Sequence, residues 1–321
     1  MTKPKIALNW ASSCGGCEIA IFELGLKLVD VSSKADIVFW PAVLDYKYAD
    51  LEAMPDKSID VTFFNGAIRN SENESVAKLF RTKSKFLVAF GACAYLGGIP
   101  ALANTTSRDE IFASSYQETP TTDNPDKIIP KSKVEVGEGE LTIPEFYNTV
   151  KTLDQTVDVD YYVPGCPPVG EQIAKVVGQF LDGNLPPKGA VLGASDKSLC
   201  HECKRVKTDR KIAKLVRSYQ TIADSEKCLL EQGILCMGPA TRGGCGSLCM
   251  SANAPCRGCY GPLPNVIDQG GKMLSALSSV FEAENEEDIQ KLADSVPDPI
   301  GTFYRFGLAG SLMMRRKMIK K

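Results

Sequence analysis

The first half of the chain alternates short apolar runs with amphipathic ones. KIALNW (Lys5–Trp10), DIVFW (Asp36–Trp40), DVTFF (Asp60–Phe64), KFLVAF (Lys85–Phe90) and DYYVP (Asp160–Pro164) are rich in apolar and β-branched residues. They are short enough to be strands buried on both faces. Between them, Glu18–Val29 and Ser71–Arg81 repeat their apolar residues at helical spacing. This alternation predicts an α/β fold with a doubly wound parallel sheet. Residues 103–140, rich in Thr, Ser, Asp, Pro and Lys, interrupt it and are expected to form a long polar insertion or loop. A helix is expected over about Glu171–Leu181, followed by DGNLPPKGAVLGASDKS, which reads as a linker. The predicted division is therefore 1–185 and 186–321.

Beyond that linker the pattern fades. Strand-like runs are few, and Gly and Pro surround a dense set of cysteines. Such a region has little hydrophobic core of its own, so bound metal is expected to supply much of its folding energy. The longest uncharged stretch, Phe86–Ser107, is interrupted by Gly91, Gly97, Gly98 and Pro100 and reads as a buried strand and turn, not a membrane span.

Composition changes the picture in one respect. A 321-residue chain that is 44% hydrophobic and 24% charged, with a net charge of -2, is an ordinary soluble composition with no global attraction to nucleic acid. The N-terminus MTKPKIALNW has no basic and apolar leader and no twin-arginine pair, so a cytoplasmic location is expected. Disulfides are disfavoured there. Yet the chain has twelve cysteines: Cys14, Cys17, Cys93 and Cys166 spread through the first half, and eight more between Cys200 and Cys259.

In a doubly wound sheet, ligands sit beyond the carboxyl ends of the strands. Cys14 and Cys17 follow KIALNW, Cys93 follows KFLVAF and Cys166 follows DYYVP, so all four are expected at one sheet edge. Four thiolates delivered by three loops suit a 4Fe-4S cluster. A redox dithiol at CGGC has no use for Cys93 and Cys166. A phosphate cradle built on Ser12, Ser13, Gly15 and Gly16 leaves every cysteine unexplained. Structural zinc accepts four thiolates, but its sites are generally compact local knuckles. Gly15 and Gly16 let the backbone close around a cluster and donate N–H groups to sulfur. Glu18 is expected to complement a helix N-terminus, with a proton-handling role as the alternative.

The remaining eight divide in sequence order into Cys200, Cys203, Cys228, Cys236 and Cys245, Cys249, Cys256, Cys259, with no cysteine left over. His201, the only histidine, is expected beside a cluster or at the surface, with ligation in place of Cys200 as the alternative. Paired zinc knuckles remain the rival for these eight. Three redox clusters in series give all twelve a single task.

The motifs SSCGGCE, GACAYLGGIP, VPGCPP, CHEC, LCMGPATRGGCG and APCRGCYGP together resemble the small subunit of NiFe hydrogenases, over nearly the whole chain. The resemblance is closest to the cytoplasmic F420-non-reducing, or methyl-viologen-reducing, type. It implies a flavodoxin-like domain whose cluster, on Cys14, Cys17, Cys93 and Cys166, is proximal to the nickel-iron site of a separate large subunit. It implies a medial cluster on Cys245, Cys249, Cys256 and Cys259 and a distal one on Cys200, Cys203, Cys228 and Cys236. Periplasmic members place His and Pro where this sequence has Cys200 and Cys249, so three 4Fe-4S clusters are expected. Heterolytic H2 cleavage would then take place on the large subunit, and this chain would carry the electrons away.

An electron exit needs a docking surface. From Lys204 to Arg217 seven basic residues accompany one acid, Asp209. A solvated helix face is the default expectation, and docking of an acidic acceptor is the alternative. In the resembled subgroup that acceptor is a small iron-sulfur (delta) subunit linked to heterodisulfide reductase. The C-terminal MMRRKMIKK is a second basic candidate or a solubilising tail. The other functional readings are a small subunit of a related NAD(P)- or sulfur-linked hydrogenase, a quinone-reductase-like relative, whose adjacent Cys-Cys pair is absent, and a zinc-stabilised scaffold or nucleic-acid module.

Overall fold

The computed structural model describes residues 3–283 and 285–313. The strands in chain order are β1 (Lys5–Trp10), β2 (Asp36–Phe39), β3 (Ile59–Asn65), β4 (Ile68–Asn70), β5 (Ser84–Phe90), β6 (Lys133–Val136), β7 (Gly139–Thr142), β8 (Phe146–Lys151) and β9 (Tyr161–Val163). Five of them form one parallel sheet in the order β2-β1-β3-β5-β9. Counted within the sheet alone this is 2-1-3-4-5, the flavodoxin-like order. The five apolar runs read from the sequence are these five strands.

Both faces of the sheet are covered, which is why the strands read as continuous apolar runs. Ile6, Leu8, Val61, Phe63, Val88 and Phe90 point to one face, where they meet residues of α1 (Gly16–Phe22), α2 (Leu26–Lys34) and the later helix Gly170–Leu181. Ala7, Phe64, Leu87 and Ala89, one residue out of step, point to the other. There they pack against α3 (Tyr48–Ala53) and α4 (Ser71–Lys83) through Leu51, Val76, Ala77 and Phe80. α4 is well terminated: the Asn70 side chain accepts the Asn73 N–H at 2.8 Å, acids occupy its first turn, and Arg81 and Lys83 its last.

Arg81 also ties the layers together. Asp160, just before β9, receives Arg81 Nη1 at 2.6 Å, Lys188 Nζ at 2.6 Å and the Leu87 N–H at 2.8 Å. Burial alone would raise this carboxyl, but the two cations and the amide hold it below its ordinary value.

Three expectations change in detail. Glu18–Val29 is not one helix: the chain turns at Glu23–Gly25 and restarts as α2, whose Leu26 and Val29 face outward. The insertion is partly ordered, with α6 (Arg108–Ala113) and an exposed hairpin of β6 and β7, after α5 (Gly91–Leu96) and a 3-10 turn at Ile99–Thr105. The linker segment is attached to the sheet: the Tyr162 N–H donates to Ala190 O and the Leu192 N–H to Tyr162 O. Leu192 is buried in the sheet core. The predicted helix near Glu171 is α7 (Gly170–Leu181). Among the described residues no helix is long and apolar enough to cross a membrane.

From residue 193 to 268 the chain is held mainly by short turns and isolated bridges, with one short helix, α8 (Leu248–Ser251). Three helices follow, α9 (Gln269–Val280), α10 (Glu286–Asp294) and α11 (Pro299–Phe303), each opened by an Asp or Asn side-chain cap. After α11 the chain returns to the first half, where Leu308 and Ala309 pack against Ala67, Ala101 and Val150 of β8. The last candidate basic segment, MMRRKMIKK, lies outside the described residues except for Met313.

Candidate metal centres

The first four cysteines meet beyond the carboxyl ends of three parallel strands. Cys14 and Cys17 follow β1, with Cys17 in the first turn of α1. Cys93 lies in α5, directly after β5, and Cys166 in the loop after β9. The Ala92 N–H donates to Gly165 O at 2.7 Å and so joins the last two loops. The Cys17 thiol is close enough to feel Cys93, Cys166 and Cys14 electrostatically. The cradle around them has no spare room. A Cβ at Gly91 would stand 2.4 Å from Cys17 Sγ, and one at Gly98 would stand 2.5 Å from Cys93 Sγ; both glycines have positive φ. Gly15 packs against the Trp10 ring, and the Gly16 N–H points at Cys14 Sγ at 3.4 Å.

Cys17 and Cys93 are buried, whereas Cys14 and Cys166 are exposed, so this centre lies at the surface. Around it stand the outward-facing apolar side chains of Trp10, Ile19 and Phe22. Glu18 occupies the first turn of α1, as expected of a helix-complementing acid, but its side chain turns inward. It is 4% exposed and accepts bonds from Trp40 Nε1 and Asn65 Nδ2. Burial raises its carboxyl above the ordinary range against these two donors.

In the second half, Cys200, Cys203, Cys228 and Cys236 line one small cavity, together with apolar Leu199, Leu229 and Met250. Cys245 lies within electrostatic reach of Cys249, and Cys259 of both. Cys256 lies close to Cys259 and also to Cys236, whose Sγ receives the Cys256 N–H at 3.3 Å. At the other end Cys259 lies beside Cys166 and receives a backbone hydrogen bond from it. The twelve thiols therefore form a connected series. Cys166 and Cys259 link the first group to the Cys245–Cys259 group, and Cys256 and Cys236 link that group to the Cys200–Cys236 group.

The chemistry of these donors can be tested against iron-sulfur ligation. Burial pushes the Cys93, Cys200 and Cys259 thiols up to about 12 and raises Cys17 and Cys256 as well. Without metal these thiols stay protonated, and their thiolates would repel one another. Cluster binding would therefore release protons and replace that repulsion with ligation. Backbone N–H groups already point at several sulfurs, those of Gly238 and Cys256 at Cys236 and those of Ser247 and Leu248 at Cys245. Such bonds are a known lever on cluster potential. Among the described residues no three His, Cys, Asp or Glu side chains are gathered to hold a single ion. A lone zinc needs four donors about 2.0 to 2.3 Å from one point, whereas each thiolate of a four-iron cluster holds its own corner.

His201 is exposed, and its Nδ1 lies 3.0 Å from Ser198 Oγ. The basic run from Lys204 to Arg217 is not a helix; it is extended, with bridges at Val206, Ile212 and Val216. Three of its seven cations point to backbone carbonyls. Arg205 is buried and donates to Asp224 O, Lys227 O and Met250 O, strapping together the loops that carry Cys203, Cys228 and Cys249. Lys207 reaches Cys200 O and Lys211 reaches Ser279 O, each at 2.6 Å. Sequence reasoning also missed Glu202, inside CHEC, whose Oε1 accepts the Gly244 N–H beside Cys245.

A family model described as NADH ubiquinone oxidoreductase, 20 Kd subunit, matches residues 14–180. The iron-sulfur subunit of the F420-non-reducing hydrogenase of Archaeoglobus profundus is 45% identical over 322 residues, covering 98% of this chain and 99% of that protein. The chain belongs to the F420-non-reducing class of NiFe hydrogenase small subunits. A second member of this class, the corresponding F420-non-reducing hydrogenase subunit of Methanothermobacter marburgensis, is 37% identical over 97% of this chain and 96% of its own length. The small subunit fold is also seen in solved structures. The [NiFeSe] hydrogenase of Desulfovibrio vulgaris Hildenborough aligns with 88% of this chain and 99% of that one, at a TM-score of 0.52 and 15% identity. An NAD+-reducing [NiFe]-hydrogenase in the H2-reduced state aligns with 58% of this chain and 94% of that one, at a TM-score of 0.50 and 26% identity.

Proposed function

We propose that this hydrogenase small subunit carries electrons through three 4Fe-4S clusters, from a nickel-iron site on its large subunit to an iron-sulfur partner. Cys14, Cys17, Cys93 and Cys166 hold the proximal cluster, Cys245, Cys249, Cys256 and Cys259 the medial one, and Cys200, Cys203, Cys228 and Cys236 the distal one. The clusters supply one-electron steps when bound. The polypeptide spaces them, shields them from water and tunes them by hydrogen bonds to sulfur. H2 gives two protons and two electrons on the large subunit, so the electrons leave one at a time through this chain.

The observation that carries this reading is the serial contact of the thiol groups, Cys166 to Cys259 and Cys256 to Cys236. The exposed first centre, rimmed by Trp10, Ile19 and Phe22, suits burial against the large subunit. The acceptor in this proposal is a small iron-sulfur (delta) subunit that passes electrons to heterodisulfide reductase. The assembly is cytoplasmic, and residues 1–185 and 186–321 serve as proximal and medial-distal domains.

The Cys249→Pro variant of the complex tests the assignment. Electron paramagnetic resonance is expected to show a new three-iron signal while the signal of the proximal cluster persists. An unchanged spectrum, with full four-iron occupancy, would remove Cys249 from the medial site.

A further inference from the structure

Three arginines meet around a cleft in the second half of the molecule that a single carboxylate, Asp298, also lines. Arg217, Arg257 and Arg305 line a cleft of about 420 Å³. Arg257 lies within electrostatic reach of both the others. Among the described residues none of the three joins an ion pair; the paired arginines there are Arg81, Arg108 and Arg242. Asp298 borders the same cleft and caps α11, its Oδ1 accepting the Gly301 N–H at 3.0 Å, so three cations face one carboxylate there. Arg305 Nε donates to Gly301 O, which satisfies one donor and leaves the charge uncompensated.

Like charges brought together at a concave surface cost free energy unless an anion meets them. Arginine is well suited to that task, because its planar fork matches carboxylate oxygens two at a time. Position adds a second argument. Leu235 and Pro255 line the cleft and directly precede Cys236 and Cys256, and Arg257 directly follows. The wall of the cleft is thus the backbone where the medial and distal thiol groups touch. Arg257 also lies within reach of the Cys236 and Cys256 sulfurs.

We propose that the Arg217–Arg257–Arg305 cleft binds clustered carboxylates of the electron-accepting protein, seating the acceptor over the Cys236–Cys256 junction. This rests on the reading of the chain as an electron-transfer subunit and names the recognition element of its exit. The basic run contributes Arg217, its last residue, whereas Arg205, Lys207 and Lys211 are occupied internally. Acidic partners are then selected by a shaped pocket rather than by a diffuse positive surface.

The test uses the intact hydrogenase complex under H2 with two dyes. Anthraquinone-2,6-disulfonate is anionic and takes up two electrons and two protons. Benzyl viologen is cationic; two molecules take one electron each, and the protons go to solvent. The double variant Arg217→Gln with Arg305→Gln spares Arg257, which stands between cluster ligands. The ratio of KM for the anionic dye to KM for the viologen is expected to rise about tenfold, about threefold for each guanidinium lost. Arg217→Lys with Arg305→Lys keeps the charge without the fork and is expected to restore only part of it. Millimolar pyrophosphate is expected to compete with the anionic dye in the unsubstituted complex and not in the Gln variant. An unchanged ratio, or an equal rise for both dyes, would overturn the proposal. So would stoichiometric pyrophosphate binding that leaves the anionic dye's kinetics untouched, because the cleft would then serve a free oxyanion. Failure of the underlying electron-transfer reading looks different: the unsubstituted complex would reduce neither dye.

Discussion

The two halves of this chain are held together by different means. In the first, Phe64, Leu87, Val88 and Ala89 are fully buried in a sheet covered on both faces, and the thiols follow the strand ends, with Cys17 alone of the four a member of the sheet core. In the second, the thiols belong to the core itself: Cys236 and Cys256 are buried members of it, and Cys203, Cys228 and Cys245 pack against it. One half is a scaffold that presents a metal site; the other is built around its sites. The difference follows from backbone satisfaction. Strands pair their own N–H and C=O groups, whereas loops between cysteines rely on sulfur, on isolated bridges and on single side chains such as Arg205.

Removing iron should break this comparison most visibly. After chelation under reducing conditions, hydrogen exchange is expected to reach residues 199–262 almost completely, while β1, β3 and β5 stay protected. Equal loss of protection in both halves would show that the sheet also depends on its cluster. The converse experiment is Phe64→Ala, which empties a fully buried position in β3. It should cost about 4 kcal/mol of the sheet's stability in denaturant melts while the iron content of the folded protein stays unchanged. A smaller effect is expected at Asp160. Its lowered carboxyl stabilises the fold above the ordinary carboxylate range, and that stability is lost as pH falls through the lowered folded value. Asp160→Asn should therefore destabilise the first half by about 3 kcal/mol near neutral pH and by progressively less in acid, read from thermal melts across pH.

The sheet was readable because each strand is an unbroken apolar run, and both its parallel topology and its helical layers follow from that burial. The gathering of Cys14, Cys17, Cys93 and Cys166 was readable as well, because each follows a strand of the sheet. The helices near the C-terminus were not: α9 has two glycines in its first turn, carries three serines, and buries only Gln269, Gly270, Met273 and Leu277. That leaves too weak a periodic signal. The basic run misled for another reason. Seven similar cations follow Cys203, and nothing local distinguishes Arg205, whose partners are carbonyls 19, 22 and 45 residues away, from Arg217, which faces a cleft. The Arg257–Arg305 proximity likewise appears only once α11 has folded back on the cysteine loops.

Metal analysis of the anaerobically purified chain is the sharpest test of the proposed ligation of three clusters by all twelve cysteines. About twelve irons and about twelve acid-labile sulfides per chain are expected, because each four-iron cluster is held by four thiolates. Stoichiometric zinc without sulfide and without broad visible absorption would contradict it.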